Sequence, residues 1–264
     1  MRQNRWLRAA VIILGYGFLY VPIFSLMVFS FNDSAMMTSW TGFSLRWYAA
    51  LFQDQALLDA ARLSLLIAAM TATAAVTIAT WAATVLARMR PFRGFFLYLG
   101  LLSAPLVLPE VVLGISLLLL FVELGSLLGW PRGNGVFTLW IGHITLCTAY
   151  AAVIIQSRLR ELDRSLEEAA LDLGATPLRV FFSITLPLIA PALMAAWLLA
   201  FTLSLDDVVI ASFLSGPGTT TLPVEVFSRV RLGLKPEINA LATLFIVGVG
   251  VFVIIANRLT WRRS

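Results

Sequence analysis

A chain of 264 residues that is 60% hydrophobic and only 12% charged cannot be an ordinary soluble domain. Its net charge of +5 does not call for a nucleic-acid partner, because the basic residues follow the pattern that membrane topology demands. A single cysteine, Cys147, lies inside an apolar run, so no intrachain disulfide can form.

In chain order, residues 1–8 form a short basic tail and residues 9–31 the first apolar run. It lacks a clear small-x-small cleavage site and reads as a retained signal anchor, with Pro22 free to bend it. Residues 32–61 form a first outer segment. There Leu45, Tyr48, Ala49 and Phe52 have helical spacing, and Trp40 and Trp47 suit an interface. That spacing predicts a short helix lying flat on the outer surface, or equally a contact for a soluble partner. The second run, 63–87, is dense in Ala and Thr from Ala68 to Ala75. Small residues allow close helix packing, so this run is expected at the centre of a bundle. Arg88-Met89-Arg90-Pro91 closes it with a tight turn.

The third run, 94–122, carries Pro105 and Pro109 and one acid, Glu110. The prolines should kink or break the helix. A mid-span carboxylate costs roughly 2.5–3.5 kcal/mol on insertion scales. Glu110 is therefore either a pathway group or an acid bonded to backbone that the prolines free. A Gly/Pro-rich turn at 125–135 precedes the fourth run, 133–157, which holds the lone histidine. His143 among Thr145, Thr148 and Tyr150 reads as a packed, hydrogen-bonded residue rather than a ligand. The fifth run, 180–205, contains Pro187 and Pro191 and ends on Asp206-Asp207. A turn-rich stretch, 215–223, and the bases Arg229, Arg231 and Lys235 lead to the sixth run, 238–257. Each run reaches the roughly 20 residues needed to cross a bilayer, and each must be helical there to satisfy its backbone.

With the N-terminus inside, 13 of the 19 basic residues fall in cytosolic segments and six in outer ones. The positive-inside rule thus predicts both termini, and the loop at 158–182, in the cytosol. The chain reads as one domain, 1–264, with outer segments at 32–61, 123–135 and 206–237.

The stretch 165–187, SLEEAALDLGATPLRVFFSITLP, is a loop that reads as helices. Ser165 and Glu168 have capping-box spacing, and Leu166, Ala169, Ala170 and Leu173 form one apolar stripe. Glu167, Glu168 and Asp172 fall off it. Gly174 occupies a C′ position, and Thr176-Pro177 reads as N-cap and first residue of a second short helix. So short an element needs a partner surface to be stable.

Glu168-Ala169-Ala170, then Gly174, then Ile184, Leu186 and Pro187 resemble the EAA loop of permeases of binding-protein-dependent ABC importers. The resemblance implies an all-α integral membrane fold of six transmembrane helices, the type I ABC importer (MetI-like) permease architecture, in a bacterial inner membrane. It further implies that Ser165, Glu168, Ala169, Ala170, Leu173 and Gly174 form a coupling helix for an ABC ATPase dimer. A second permease subunit and a periplasmic substrate-binding protein complete the expected partners, with membrane lipid around them. Residues 204–210 (SLDDVVI), 215–218 (SGPG) and 236–240 (PEINA) are similar to the spermidine/putrescine permeases, in which the two permeases are different chains.

A dication or polycation crossing a low-dielectric path needs carboxylates, and Glu110, Asp206 and Asp207 are the candidates. Permeases for iron, phosphonates and other small solutes share the scaffold and remain alternatives. So does an ion-coupled carrier or channel with Glu110 and His143 as relay groups, which leaves the EAA spacing unexplained. No Walker A sequence, HExxH, Cys/His metal spacing or Gly-x-Ser-x-Gly elbow occurs. The chain is therefore expected to have no catalytic residues, metal or cofactor of its own, and ATP is expected on the partner ATPase.

Overall fold

The computed structural model describes residues 4–34, 39–89, 91–232 and 236–261. Lys235 lies outside the described residues. Twelve α-helices and one π-helical turn make up the regular structure of the described residues, with a single isolated bridge between Asn32 and Phe43. Among the described residues, five helical segments are long and apolar enough to cross a membrane. Contacts divide the chain into two units, Met1–Leu58 with Val226–Ser264, and Asp59–Glu225.

The first unit contains α1 (Asn4–Phe29), α2 (Arg46–Gln53) and α12 (Pro236–Trp261), and α12 packs on both of the others. Leu14, Phe18 and Phe24 on α1 are exposed, as expected of a face solvated by lipid tails. The segment between α1 and α2 is built around Asn32, which is buried. Its amide donates to the Ser39 carbonyl at 2.7 Å, and its Oδ1 accepts from the Thr41 N–H at 3.0 Å. The Trp47 indole donates to the Asn32 carbonyl at 2.8 Å. The predicted surface helix is present, and most of the predicted stripe is left open. Leu51 is buried, whereas Leu45 and Phe52 are exposed, because the Trp47 bond to Asn32 fixes the rotation. Arg229 spans Asp54 with a two-point ion pair, and Glu237 stands 4.0 Å away.

The second unit holds α4 (Phe95–Val107), α5 (Glu110–Leu128), α6 (Val136–Glu161), α7 (Ser165–Asp172), α8 (Pro177–Val180), the π turn Phe181–Thr185, α9 (Leu186–Asp206) and α10 (Val209–Leu214). Most of α3 (Gln55–Arg88) and the start of α11 (Leu222–Leu232) belong to it as well. Ala79, Ala83 and Ala87 of α3 pack with Ala151, Ala152 and Ile155 of α6 and Ala196 of α9. Methyl-sized contacts let these backbones approach closely, as small-residue membrane interfaces do. The expectation that α3 is central holds, and α6 is more enclosed still. The most apolar stretch of α6 is 61% buried against 44% for α3. On α3, the hydroxyls of Thr73, Thr77, Thr80 and Thr84 each donate to the carbonyl four residues back, at 2.6–2.8 Å.

The third apolar run is two helices rather than one. Pro109 lacks an N–H and drives Leu108 to an extended conformation, φ −73° and ψ 136°, so α4 stops and α5 starts afresh at Glu110. The helix α5 then runs to Leu128, which shortens the expected turn at 123–135. The short helix α10 packs into α5 and α6 at glycines. A Cβ on Gly142 would stand 2.3 Å from Leu214, and one on Gly114 would stand 2.7 Å from Phe213.

Candidate functional site

The α6–α9 loop is where sequence and structure agree most closely. Helix α7 ends in a Schellman motif: the Ala175 N–H donates to the Ala170 carbonyl at 3.0 Å, and the Gly174 N–H to the Leu171 carbonyl at 2.9 Å. Gly174 has φ +85°, the left-handed conformation that a C′ glycine supplies. Thr176 and Pro177 begin α8 as the spacing predicts. The helix then runs through one π turn into α9, giving a 30-residue segment, Pro177–Asp206.

The start of α7 corrects the sequence reading. No Ser165 or Glu168 side chain caps it. Asp163 does so instead, its Oδ1 accepting the Ser165 N–H at 2.9 Å. The backbone and hydroxyl of Ser165 hold the Asp163 carboxyl below the usual aspartate range. An acid two residues earlier reaches the first free N–H better, so the Ser-x-x-Glu pattern is left unused.

No residue of α7 is buried. Leu173 is 89% exposed and Leu166 49%, with Ala169 exposed and Ala170 half-buried beside them. The apolar stripe of α7 is thus left open by the chain's own folding. Glu168 is exposed with it.

Glu167, which falls off the apolar stripe, is turned into the protein. Its carboxylate takes Arg88 on two points, Nε to Oε2 at 2.9 Å and an Nη to Oε1 at 3.0 Å, and accepts the Thr185 hydroxyl at 2.8 Å. Arg88 also donates to the Leu159 carbonyl at 2.7 Å, and Arg164 to the Ala87 carbonyl at 2.6 Å. Both partners of the Arg88–Glu167 pair are more than four-fifths covered. A cleft of about 160 Å³ beside them is lined by Thr84, Leu171, Phe181 and Thr185. Helical spacing alone gave no warning, because Arg88 and Thr185 lie far from Glu167 in sequence.

The three predicted pathway acids differ in setting. Asp206 closes α9 and is exposed. Asp207 is buried: its Oδ1 accepts the Ala211 N–H at 2.8 Å and stands 3.5 Å from His143 Nε2. His143 is buried too, its Nδ1 sharing a 2.7 Å hydrogen bond with the Ser204 hydroxyl. This is the packed, bonded histidine that its polar neighbourhood suggests. Glu110 is exposed at the N-terminus of α5. Among the described residues no hydrogen bond or ion pair joins Glu110 to Asp206 or Asp207. A groove of about 630 Å³ along α3, lined by Ala69, Thr73, Thr77 and Trp140, contains none of the three. No group of three or more potential metal ligands occurs among the described residues.

Residues 75–263 match the model of the binding-protein-dependent transport system inner membrane component family. The chain belongs to this family. As an inner membrane component it is a multi-pass protein of the bacterial inner membrane, in agreement with its long apolar helices. It is 58% identical over 254 residues to the putrescine transport system permease protein PotI of Escherichia coli K12, covering 96% of this chain and 90% of the relative. It is 42% identical over 259 residues to the spermidine/putrescine transport system permease protein PotC of the same strain, covering 98% and 95%. A crystal structure of a bacterial alginate ABC transporter, in complex with a periplasmic protein carrying an alginate pentasaccharide, shares the fold at TM-score 0.76 and 17% identity. That likeness covers 100% of this chain and 96% of the other. The transport component's fold is thus the all-α permease architecture that the EAA loop implies.

Proposed function

We propose that this chain is a membrane-spanning permease subunit of an ATP-driven, binding-protein-dependent ABC importer that carries putrescine or spermidine into the cytoplasm. The 58% identity to a putrescine permease, sustained over 96% of the chain, is the observation that carries the substrate class. The open apolar stripe of α7 supports an ATPase dimer as its partner on the cytosolic side. A second permease subunit, here a different chain, and a periplasmic binding protein complete the assembly. Both termini are cytosolic in this reading and six spans cross the membrane. ATP binds the ATPase subunits, whose closure moves the coupling helices and swings the spans from inward-open to outward-open.

The acids divide the work. Asp206 presents a carboxylate at the C-terminal end of a 21-residue helix, where the aligned peptide dipoles add negative potential. An alkylammonium group meets its strongest attraction there. Glu110 sits at a helix N-terminus, where the dipole offsets part of its charge. Asp207 accepts the Ala211 N–H at the start of α10 and only approaches His143, so its influence on the path runs through the position of α10.

The test is ATP-dependent uptake of labelled putrescine by the four-component assembly in proteoliposomes. Asp206→Asn should lower uptake with normal assembly, whereas Asp207→Asn should lower the amount of assembled complex. If Asp206→Asn, Asp207→Asn and Glu110→Gln all carry putrescine at the parental rate, the cation assignment fails.

A further inference from the structure

No residue of helix α7 is fully buried, yet the helix must pass any push from a docked partner to the spans. Without a fully buried side chain, packing alone ties it only weakly to the spans. Its polar ties are therefore decisive. We propose that the Glu167 carboxylate, clasped by Arg88 and Thr185, is the joint that transmits motion of α7 to three spans at once. The inference rests on the coupling role proposed above.

The three groups that Glu167 reaches, directly or through Arg88, are placed for this. Arg88 is the last residue of α3, so a pull on its guanidinium acts at the end of that helix. The same guanidinium holds the Leu159 carbonyl in the last turn of α6. Thr185 is the last residue of the π turn and immediately precedes α9. A two-point guanidinium–carboxylate contact resists both stretch and rotation, which a single hydrogen bond does not. The π turn adds compliance at the right point. Its wider helical register is a local irregularity of the kind found at functional sites, and it lets the start of α9 shift without breaking the span. Arg164, bonded to the Ala87 carbonyl, anchors the other end of the loop to the same turn of α3. Glu167 is thus a positioning residue, distinct from the exposed Glu168 that faces the partner.

The experiment compares Glu167→Gln, Arg88→Lys and Leu173→Asp in the complete assembly with its ATPase, second permease and binding protein. Three readouts are taken: complex recovered, basal ATP hydrolysis, and putrescine imported per ATP hydrolysed. Glutamine keeps the shape and an acceptor for Thr185, and lysine keeps the charge but not the fork, so both variants should assemble with parental basal hydrolysis. Putrescine per ATP should fall roughly fivefold or more in each, the lower end of an allosteric coupling. Leu173→Asp, on the open stripe, should instead lose the ATPase from the complex.

Normal coupling in Glu167→Gln and Arg88→Lys, with Leu173→Asp still dissociated, overturns the joint and leaves the docking role intact. Loss of assembly in the first two variants also overturns it, since the pair would then be a structural pin. Parental behaviour of all three removes the coupling reading of the loop, and this inference with it.

Discussion

Gly174 offers a clean perturbation of helix α7 and of the ATPase docking proposed for it. It holds φ +85°, and nothing lies within 4 Å of the position a Cβ would take. A substitution there meets no clash, so its whole effect is the backbone strain of a left-handed conformation. For an ordinary L-residue that strain is roughly 1–2 kcal/mol. A strain of this size shifts a local equilibrium about 5–30-fold. Because α7 has no buried residue, the strain relaxes by unwinding the turn that carries Ala170 and Leu173, not by unfolding the bundle. Asparagine visits this conformation more readily than alanine, and a β-branched residue scarcely at all. Gly174→Asn, Gly174→Ala and Gly174→Val should therefore form a graded series at constant membrane abundance. ATPase recovered with the purified complex is the readout, with alanine about 5–30-fold weaker than parental. Parental recovery with valine, or asparagine weaker than valine, refutes the reasoning.

Three further outcomes follow from other parts of the molecule. Arg229 holds the Asp54 carboxyl below its ordinary value of 3.8, so the pair stabilises above that pH and fades as acid protonates the folded carboxylate. The melting difference between the parent and Asp54→Asn should stay constant from about pH 5 to 8 and shrink below 3.8. A difference that grows on acidification contradicts this. Gly216→Ala would place a Cβ 2.0 Å from the Asn134 carbonyl oxygen, a backbone atom that cannot swing away, and should destabilise by about 1–3 kcal/mol. Gly100→Ala, in open space, is its control, and equal melting temperatures for the two would disprove the clash. Finally, a topology reporter fused after Ser264 should be active only in the cytosol, and one inserted near Gly133 only outside. An external C-terminus would put the α7 loop out of reach of an ATPase.

Local signals were legible and long-range polar ones were not. Gly174, Thr176 and Pro177 mark helix ends through their own backbone chemistry, so position in sequence sufficed. Alanine density in 68–75 announced close packing, and the buried Ala72 and Ala75 bear it out. Burial of α6 was harder to see, because its core residues include His143 and Thr138 as well as alanines. The Arg88–Glu167–Thr185 cluster joins residues 79 and 18 positions apart, and no periodicity connects them. Asp206 and Asp207 look alike in sequence. Only the end of α9 and the start of α10 separate an exposed carboxylate from an enclosed one. The Asn32 cluster escaped notice for the same reason, since an asparagine in a loop carries no sign of what it will bond.

The threonines of α3 have a mechanical consequence. Each of Thr73, Thr77, Thr80 and Thr84 has already given its hydroxyl proton to its own helix. Apart from the Trp197 indole resting on Thr73, this face asks no neighbour for a donor's partner. A helix side that is polar in composition yet satisfied within itself can slide. Neighbouring side chains or solvent can exchange places along Thr73 and Thr77 without leaving a buried proton stranded.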